Sequence, residues 1–157
     1  MVLITDNQRI LISKADATDG TNSSFYWEKS CTDLSLSNIR NISGAKADFS
    51  GKDNTTAIAA NSSNSRDMCK VLESYTEGGF NDWYVPAAGQ LYEICTNITD
   101  INAALTKIGG TAFESYVYWS SSERGINDAW NVTFGNGRVG NQLKDDLFRV
   151  RFVRDID

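Results

Sequence analysis

An α+β domain is predicted: two or three helices packed on a small twisted antiparallel sheet, with long irregular loops. Three observations carry this. Apolar residues recur at helical spacing between Asn64 and Gly109. After Phe113 the pattern changes to period-two alternation, as in Ala129-Trp130-Asn131-Val132-Thr133-Phe134. No strand–helix–strand rhythm of a parallel sheet links the two regions. The 157 residues suit one domain spanning 1–157, long enough for a sizeable core and too short to expect two.

Val2-Leu3-Ile4 and Ile10-Leu11-Ile12 flank a polar stretch and predict an N-terminal hairpin. From Lys14 to about Asp53 the chain is rich in Asp, Ser, Thr, Asn and Gly. Phe25, Tyr26, Trp27, Leu34, Leu36 and Ile39 are its sparse apolar anchors, which predicts loops pinned to a core. A short helix is expected over 54–60. Asn64 or Ser65 caps a better one, with Met68, Cys69, Val71, Leu72 and Tyr75 at helical spacing and Gly78-Gly79 ending it. Asp82 to Val85 reads as a short extended segment. Pro86 fits the first turn of a helix running from Ala87 to Cys95 with Leu91, Tyr92, Ile94 and Cys95 inward. Thr99 is the expected cap of another helix, ended by Gly109-Gly110. Tyr116 with Tyr118, 129–134 and 149–154 then alternate as sheet strands. Trp130, Val132 and Phe134 share one face and Asn131 and Thr133 the other.

Composition removes several function classes. A net charge of -5 with no basic stripe argues against nucleic-acid or anionic-membrane partners, because nothing neutralises phosphates. No apolar run reaches membrane-spanning length, and the start lacks the pattern of a signal peptide. There is no His, so the commonest general base and zinc ligand are missing and hydrolytic or metal-assisted chemistry is disfavoured. Cys31, Cys69 and Cys95 lack zinc-knuckle or redox spacing. Cys69 reads as a small buried apolar group, and Cys31 could pair with Cys95 in an oxidising compartment. No cofactor or metal is expected.

Five phrases stand in order: Gly78-Gly79-Phe80-Asn81-Asp82-Trp83-Tyr84-Val85-Pro86, Gln90-Leu91, Tyr118-Trp119-Ser120-Ser121-Ser122-Glu123, Ala129 to Phe134 with Gly137, and Arg149-Val150-Arg151-Phe152-Val153-Arg154. Together they resemble the C-terminal domain family of the Legionella collagen-like adhesin, which implies a C-type-lectin-like fold over roughly Gly51 to the end. The stretch after Trp119 further resembles the variable proteins of diversity-generating retroelements, found in phages and gut bacteria. In those systems errors at template adenines, often in Asn codons, rewrite the 3′ end of a gene.

That resemblance implies a variable region at about 124–148, with Glu123, Trp130, Val132, Phe134, Val139, Lys144 and Arg149 fixed. Asn codons randomised at both adenines never yield Lys, Gln, Glu, Met or Trp. The in-between positions, Gly125 among them, obey this rule, and Gln142 departs from it. The expected ligand-contacting residues are Arg124, Ile126, Asn127, Asp128, Asn131, Thr133, Gly135, Asn136, Arg138, Gly140, Asn141, Leu143, Asp145, Asp146, Leu147 and Phe148. Ile126 and Leu147-Phe148 either cover the core edge or serve as apolar contacts.

Asn81-Asp82 invites a calcium reading, but no second carboxylate cluster completes a shell of six to eight oxygens. Ser120 to Ser122 beside Glu123 invite hydroxyl chemistry, yet no His or placed Lys activates them, and backbone hydrogen bonding is expected instead. Formylglycine-generating enzymes share the broad fold implied here but need paired cysteines. The expectation is therefore a non-enzymatic receptor-binding protein, phage-associated and diversified by a retroelement. The alternative is an invariant adhesion or appendage domain. Its partner would be a protein or glycan on a cell surface, with a homo-oligomer possible, and its place a virion or bacterial surface.

Overall fold

The computed structural model describes residues 1–36 and 38–157. Among them, two three-stranded antiparallel sheets and five helices form the predicted α+β fold, with two small sheets where one was expected. The first sheet closes on both chain ends. β1 (Val2–Ile4) and β2 (Arg9–Ile12) form the expected hairpin, and β6 (Val153–Asp155) adds to the far side of β2, pairing Ile12 with Val153 and Ile10 with Asp155. Ile10 and Ile12 are fully buried, as alternation in β2 requires.

Helices lie between. α1 (Ile42–Lys46) falls where loop was expected; it is one turn long, buries only Ala45, and is capped by Asn41, whose side chain accepts from Gly44 N–H at 2.7 Å. α2 (Gly51–Asn61) begins earlier than expected. α3 (Met68–Leu72) has Asp67 at its N-cap, not Asn64 or Ser65, and stops before Tyr75. A single 3-10 turn over Glu77–Gly79 follows, with Gly78 and Gly79 at φ of 68° and 80°, values a Cβ would resist.

α4 (Ala88–Thr96) starts after Pro86, which lies just outside the helix rather than in its first turn. Gln90 closes that end by accepting from Ala87 N–H at 3.0 Å. Leu91 and Ile94 point inward, whereas Tyr92 is only half-buried. α5 (Ile98–Lys107) is preceded by Asn97, so Thr99 sits exposed within it rather than capping it.

The second sheet has order β3 (Val117–Glu123), β4 (Asp128–Thr133), β5 (Arg138–Leu143), with an irregularity in β3 between Trp119 and Glu123. It divides the core. Tyr118, Trp130, Val132, Phe134 and Val139 pack with Leu91, Ile94, Ile101 and Leu105 of the helices. Trp119 and Ala129 pack with Phe25, Trp27, Ile58, Met68, Val150 and Phe152. Each large side chain so buried contributes about 1.5–3 kcal/mol. The expected strand over 149–154 is a correction: only Val153–Asp155 is strand, and it lies in the other sheet. Phe148 and Arg149 make isolated bridges to Phe25 and Tyr118.

Glu123 and Lys144, the residues flanking the two loops at one end of this sheet, form an ion pair at 2.7 Å with both side chains fully buried. Leu34 and Leu36 N–H groups donate to the Glu123 carboxylate, and Lys144 Nζ donates to Thr32 O at 2.7 Å and sits 4.7 Å from the Trp27 ring centre. A buried pair so completely satisfied is costly to break from one side, because the survivor keeps its desolvation penalty. Lys144→Met is expected to destabilise the domain by about 3–5 kcal/mol. Adding Glu123→Leu should cost less than the sum of the two single changes. Urea denaturation of the three variants measures both.

Candidate ligand-binding surface

β4 is the middle strand, so its side chains alternate between two different environments. Trp130 and Val132 enter the helix-side core, and Asn131 and Thr133 face the other way. Register places Gly140 opposite Asn131 and Arg138 opposite Thr133 on β5, with Trp119 and Val117 beyond them on β3. The β3 side of this face is roofed: Phe148 stands edge-on to Trp119, ring centres 5.0 Å apart, and Trp119 donates its indole N–H to Phe25 O at 2.9 Å. The β4–β5 side is open. A cavity of about 550 Å³ runs along it, and Asn131, Thr133, Arg138, Gly140, Asn141 and Phe148 line it.

All the predicted contact residues but Leu147 fall into three places. Asn131, Thr133, Arg138, Gly140, Asn141 and Phe148 gather at this cavity. Arg124, Ile126, Asn127, Asp128, Leu143, Asp145 and Asp146 cluster where β3 meets β4 and β5 ends: Asp128 pairs with Leu143, and Lys144 N–H donates to Asn127 O at 2.8 Å. Arg124 also reaches the cavity, salt-bridged to Asp128 at 2.7 Å across the loop. Gly135 and Asn136 lie at the opposite end, in the β4–β5 turn beside Tyr92 and Ile98 of the helices, and do not join the other two groups.

Exposure differs from the expectation of a solvated row. Asn131 is only 3% exposed, and its Nδ2 has no hydrogen-bond partner. Phe148 is half-buried against the second core, whereas Leu147 and Ile126 are exposed. Leu147 and Phe148 also flank a shallow hollow of about 390 Å³ with Tyr116 and Val117. Gly125 is buried, and a Cβ there would meet Asp128 Oδ1 at 2.9 Å, so a side chain at this position requires the Asp128 carboxylate to move. Arg40, Asn41, Ile42 and Gln142 line the cavity without having been singled out as contacts. Gln142 shares the parity of Arg138 and Gly140 and was legible; the segment 40–42 carries no local signal.

Most side chains with candidate chemistry are engaged elsewhere, and the buried Ser121 Oγ has no hydrogen-bond partner. Both oxygens of Asp82 accept from Arg154, at 2.6 and 2.8 Å, which occupies the carboxylate considered for calcium. Ser120 Oγ donates to Trp130 O, while Ser122 Oγ accepts from Ala88 N–H at the start of α4 and donates to Asp48. Cys31, Cys69 and Cys95 are free thiols, and burial pushes the Cys69 thiol far up. Among the described residues no group of three His, Cys, Asp or Glu side chains is placed to hold a metal ion, and no helix is long and apolar enough to cross a membrane.

Residues 4–154 match the family described as the Lcl C-terminal domain. No curated protein matches the sequence. Among solved structures, a fimbrial protein from Bacteroides ovatus is similar with a TM-score of 0.68 at 16% identity, over 92% of this chain and 35% of that one. At that identity the likeness speaks to the fold, and this chain spans about a third of the fimbrial protein.

Two outcomes follow from the packing. Phe148→Ala should lower stability by about 1–3 kcal/mol, less than a fully buried phenylalanine would, and Leu147→Ala should stay within about 0.5 kcal/mol; thermal or chemical denaturation separates them. The Arg154 hydrogen bonds hold the Asp82 carboxyl below its ordinary range. Its contribution to stability is therefore present above the unfolded value near about 4 and lost as pH falls through the lower folded value. Melting curves of Asp82→Asn and the parent chain should converge below that window and separate above it.

Proposed function

The chain belongs to the Lcl C-terminal domain family, and from that premise we propose that it is a non-enzymatic binding domain of the adhesion type. Its contact surface is the open side of β4 and β5 with the loops that join them. One observation carries this reading. The strands that bear the predicted contacts are fixed from behind by Trp130, Val132 and Val139 and at one end by the buried Glu123–Lys144 pair. Side chains between those fixed points line a cavity, and the exposed ones, Arg138 and Asn141, can change at little cost to the scaffold. Binding is reversible, and no bond is made or broken. Of the serines that could suggest acyl chemistry, Ser120 and Ser122 are spent on backbone and Asp48 contacts, and Ser121 is buried with no base within hydrogen-bond distance of its Oγ.

Within this reading the segment 124–148 is diversified by a retroelement, in a phage-associated protein acting in receptor recognition at a virion or bacterial surface. Support comes from codon reachability of the in-between residues and from their concentration at the cavity and the adjoining loop end. The unreachable Gln142 limits how much of the segment varies. The fimbrial fold neighbour favours a second reading, an invariant adhesion or appendage domain. The partner in either case is a protein or glycan of a cell surface.

An adjacent reverse-transcriptase gene and a near-copy of the 3′ coding end, with adenines at the variable codons, are expected in the genome. A complete genome lacking both supports the invariant reading. For binding itself, Thr133→Ala with Arg138→Ala should weaken adhesion to the cognate cell by roughly tenfold or more while the melting temperature stays unchanged, because both are surface contacts. Unchanged adhesion in that variant would remove this face from the contact.

A further inference from the structure

We propose that the outer edge of β5 docks an extended acidic segment of a protein partner, which pairs as an added strand while its carboxylates meet arginines beside that edge. This rests on the reading of the β4–β5 surface as the contact region and names the chemistry that it takes.

The edge is open by its hydrogen-bond pattern. Phe134 N–H donates to Tyr116 O on the β3 side, and Lys144 N–H donates to Asn127 O on the β5 side. In an antiparallel sheet a middle strand alternates its bonds between its two neighbours. Residues 129, 131 and 133 therefore bond to β5, through Gln142, Gly140 and Arg138. That leaves the N–H and C=O of Val139 and Asn141 directed outward, and among the described residues nothing pairs with them. β5 has neither Lys nor Pro, the residues that commonly blunt such an edge.

Charge selects what the edge accepts. The chain carries a net charge of -5, yet the cavity along β5 is lined by Arg40, Arg124 and Arg138 and by no Asp or Glu. Arg124 is paired with Asp128, whereas Arg40 and Arg138 have no salt-bridge partner among the described residues. On the cavity floor the buried Asn131 amide lacks a partner for Nδ2. Gly140 stands opposite, where a Cβ would lie 3.5 Å from Asn131 Oδ1. Side chains on one face of an added strand recur about every 6.6–6.8 Å, so acidic residues at alternate positions meet the arginine side repeatedly. The outward backbone groups favour a polypeptide over a saccharide, which has no donor–acceptor row at that repeat.

The test uses the whole domain and two labelled dodecapeptides, alternating Glu-Thr and alternating Lys-Thr, with an oligogalacturonate as a non-peptide polyanion. Fluorescence anisotropy should show binding of Glu-Thr and at least tenfold weaker binding of Lys-Thr and of the oligogalacturonate. Asn141→Pro removes an outward N–H and leaves the β4 pairing intact, and Arg138→Glu reverses one charge. Each should weaken Glu-Thr binding roughly tenfold, about 1.4 kcal/mol. In the parent chain, hydrogen exchange of the Val139 and Asn141 amides should slow at least tenfold when Glu-Thr is bound, a readout that survives if the proline variant fails to fold. Equal binding of both peptides, no binding of Glu-Thr, or unchanged exchange at those amides overturns the proposal. Binding of the oligogalacturonate alone also overturns it, while leaving the contact-surface reading intact. That reading fails separately, through unchanged adhesion of the Thr133 and Arg138 alanine variant.

Discussion

Two charges that never meet solvent hold the contact end of this molecule in place. Glu123 closes β3 and Lys144 follows β5, and their buried 2.7 Å contact ties the outer strands of the sheet across β4. The pair also recruits the long N-terminal loop, because Leu34 and Leu36 N–H groups and the Thr32 carbonyl complete its hydrogen bonds. Arg124 and Asp145 are the next residues along the chain, so both predicted contact loops leave from one rigid point. A hydrophobic pair could fill the space equally well, but it could not satisfy the three backbone groups that the loop brings in.

The tryptophans do similar work in apolar surroundings. Trp27 donates its indole N–H to Ser120 O and Trp119 donates to Phe25 O, a reciprocal exchange between the loop and β3. Trp130 donates to Ile39 O from the other face of the sheet. Each ring adds buried area and spends its one polar atom on holding irregular chain in place. The sheet is thus gripped on both faces along β3, whereas β4 and β5 meet the second core only at Ala129. That asymmetry, not any single residue, creates an open face on a strand pair whose back is core.

Much of this was legible in the sequence where order is local. Helical spacing located α4 and the body of α3, though not the end of α3, and alternation in β4 assigned Trp130, Val132 and Phe134 to one face. What escaped depends on distant pairing. Nothing near Ile10 announces Asp155 as its neighbour, so a separate sheet formed from both chain ends is invisible in the sequence, and the alternation of 149–154 reads as a strand of the β3–β4–β5 sheet. At the contact surface, parity correctly separated Asn131 from the core of the helices. It could not show that Trp119, Thr133 and Phe148 would crowd the amide to near-complete burial, nor that Arg40 would arrive from a loop some ninety positions earlier in the chain.

The first sheet has a mechanical consequence. β1 and β6 both run antiparallel to β2 and so run parallel to each other, with Met1 at one end of the sheet and the residues after Asp155 leaving at the other. Tension between the two chain ends would act along the strands, loading every rung of β1–β2 and β2–β6 at once instead of peeling them singly. Shear of that kind resists force far better than unzipping. The β3–β4–β5 sheet contains neither chain end, so a load of that kind would not pass through its strand pairings.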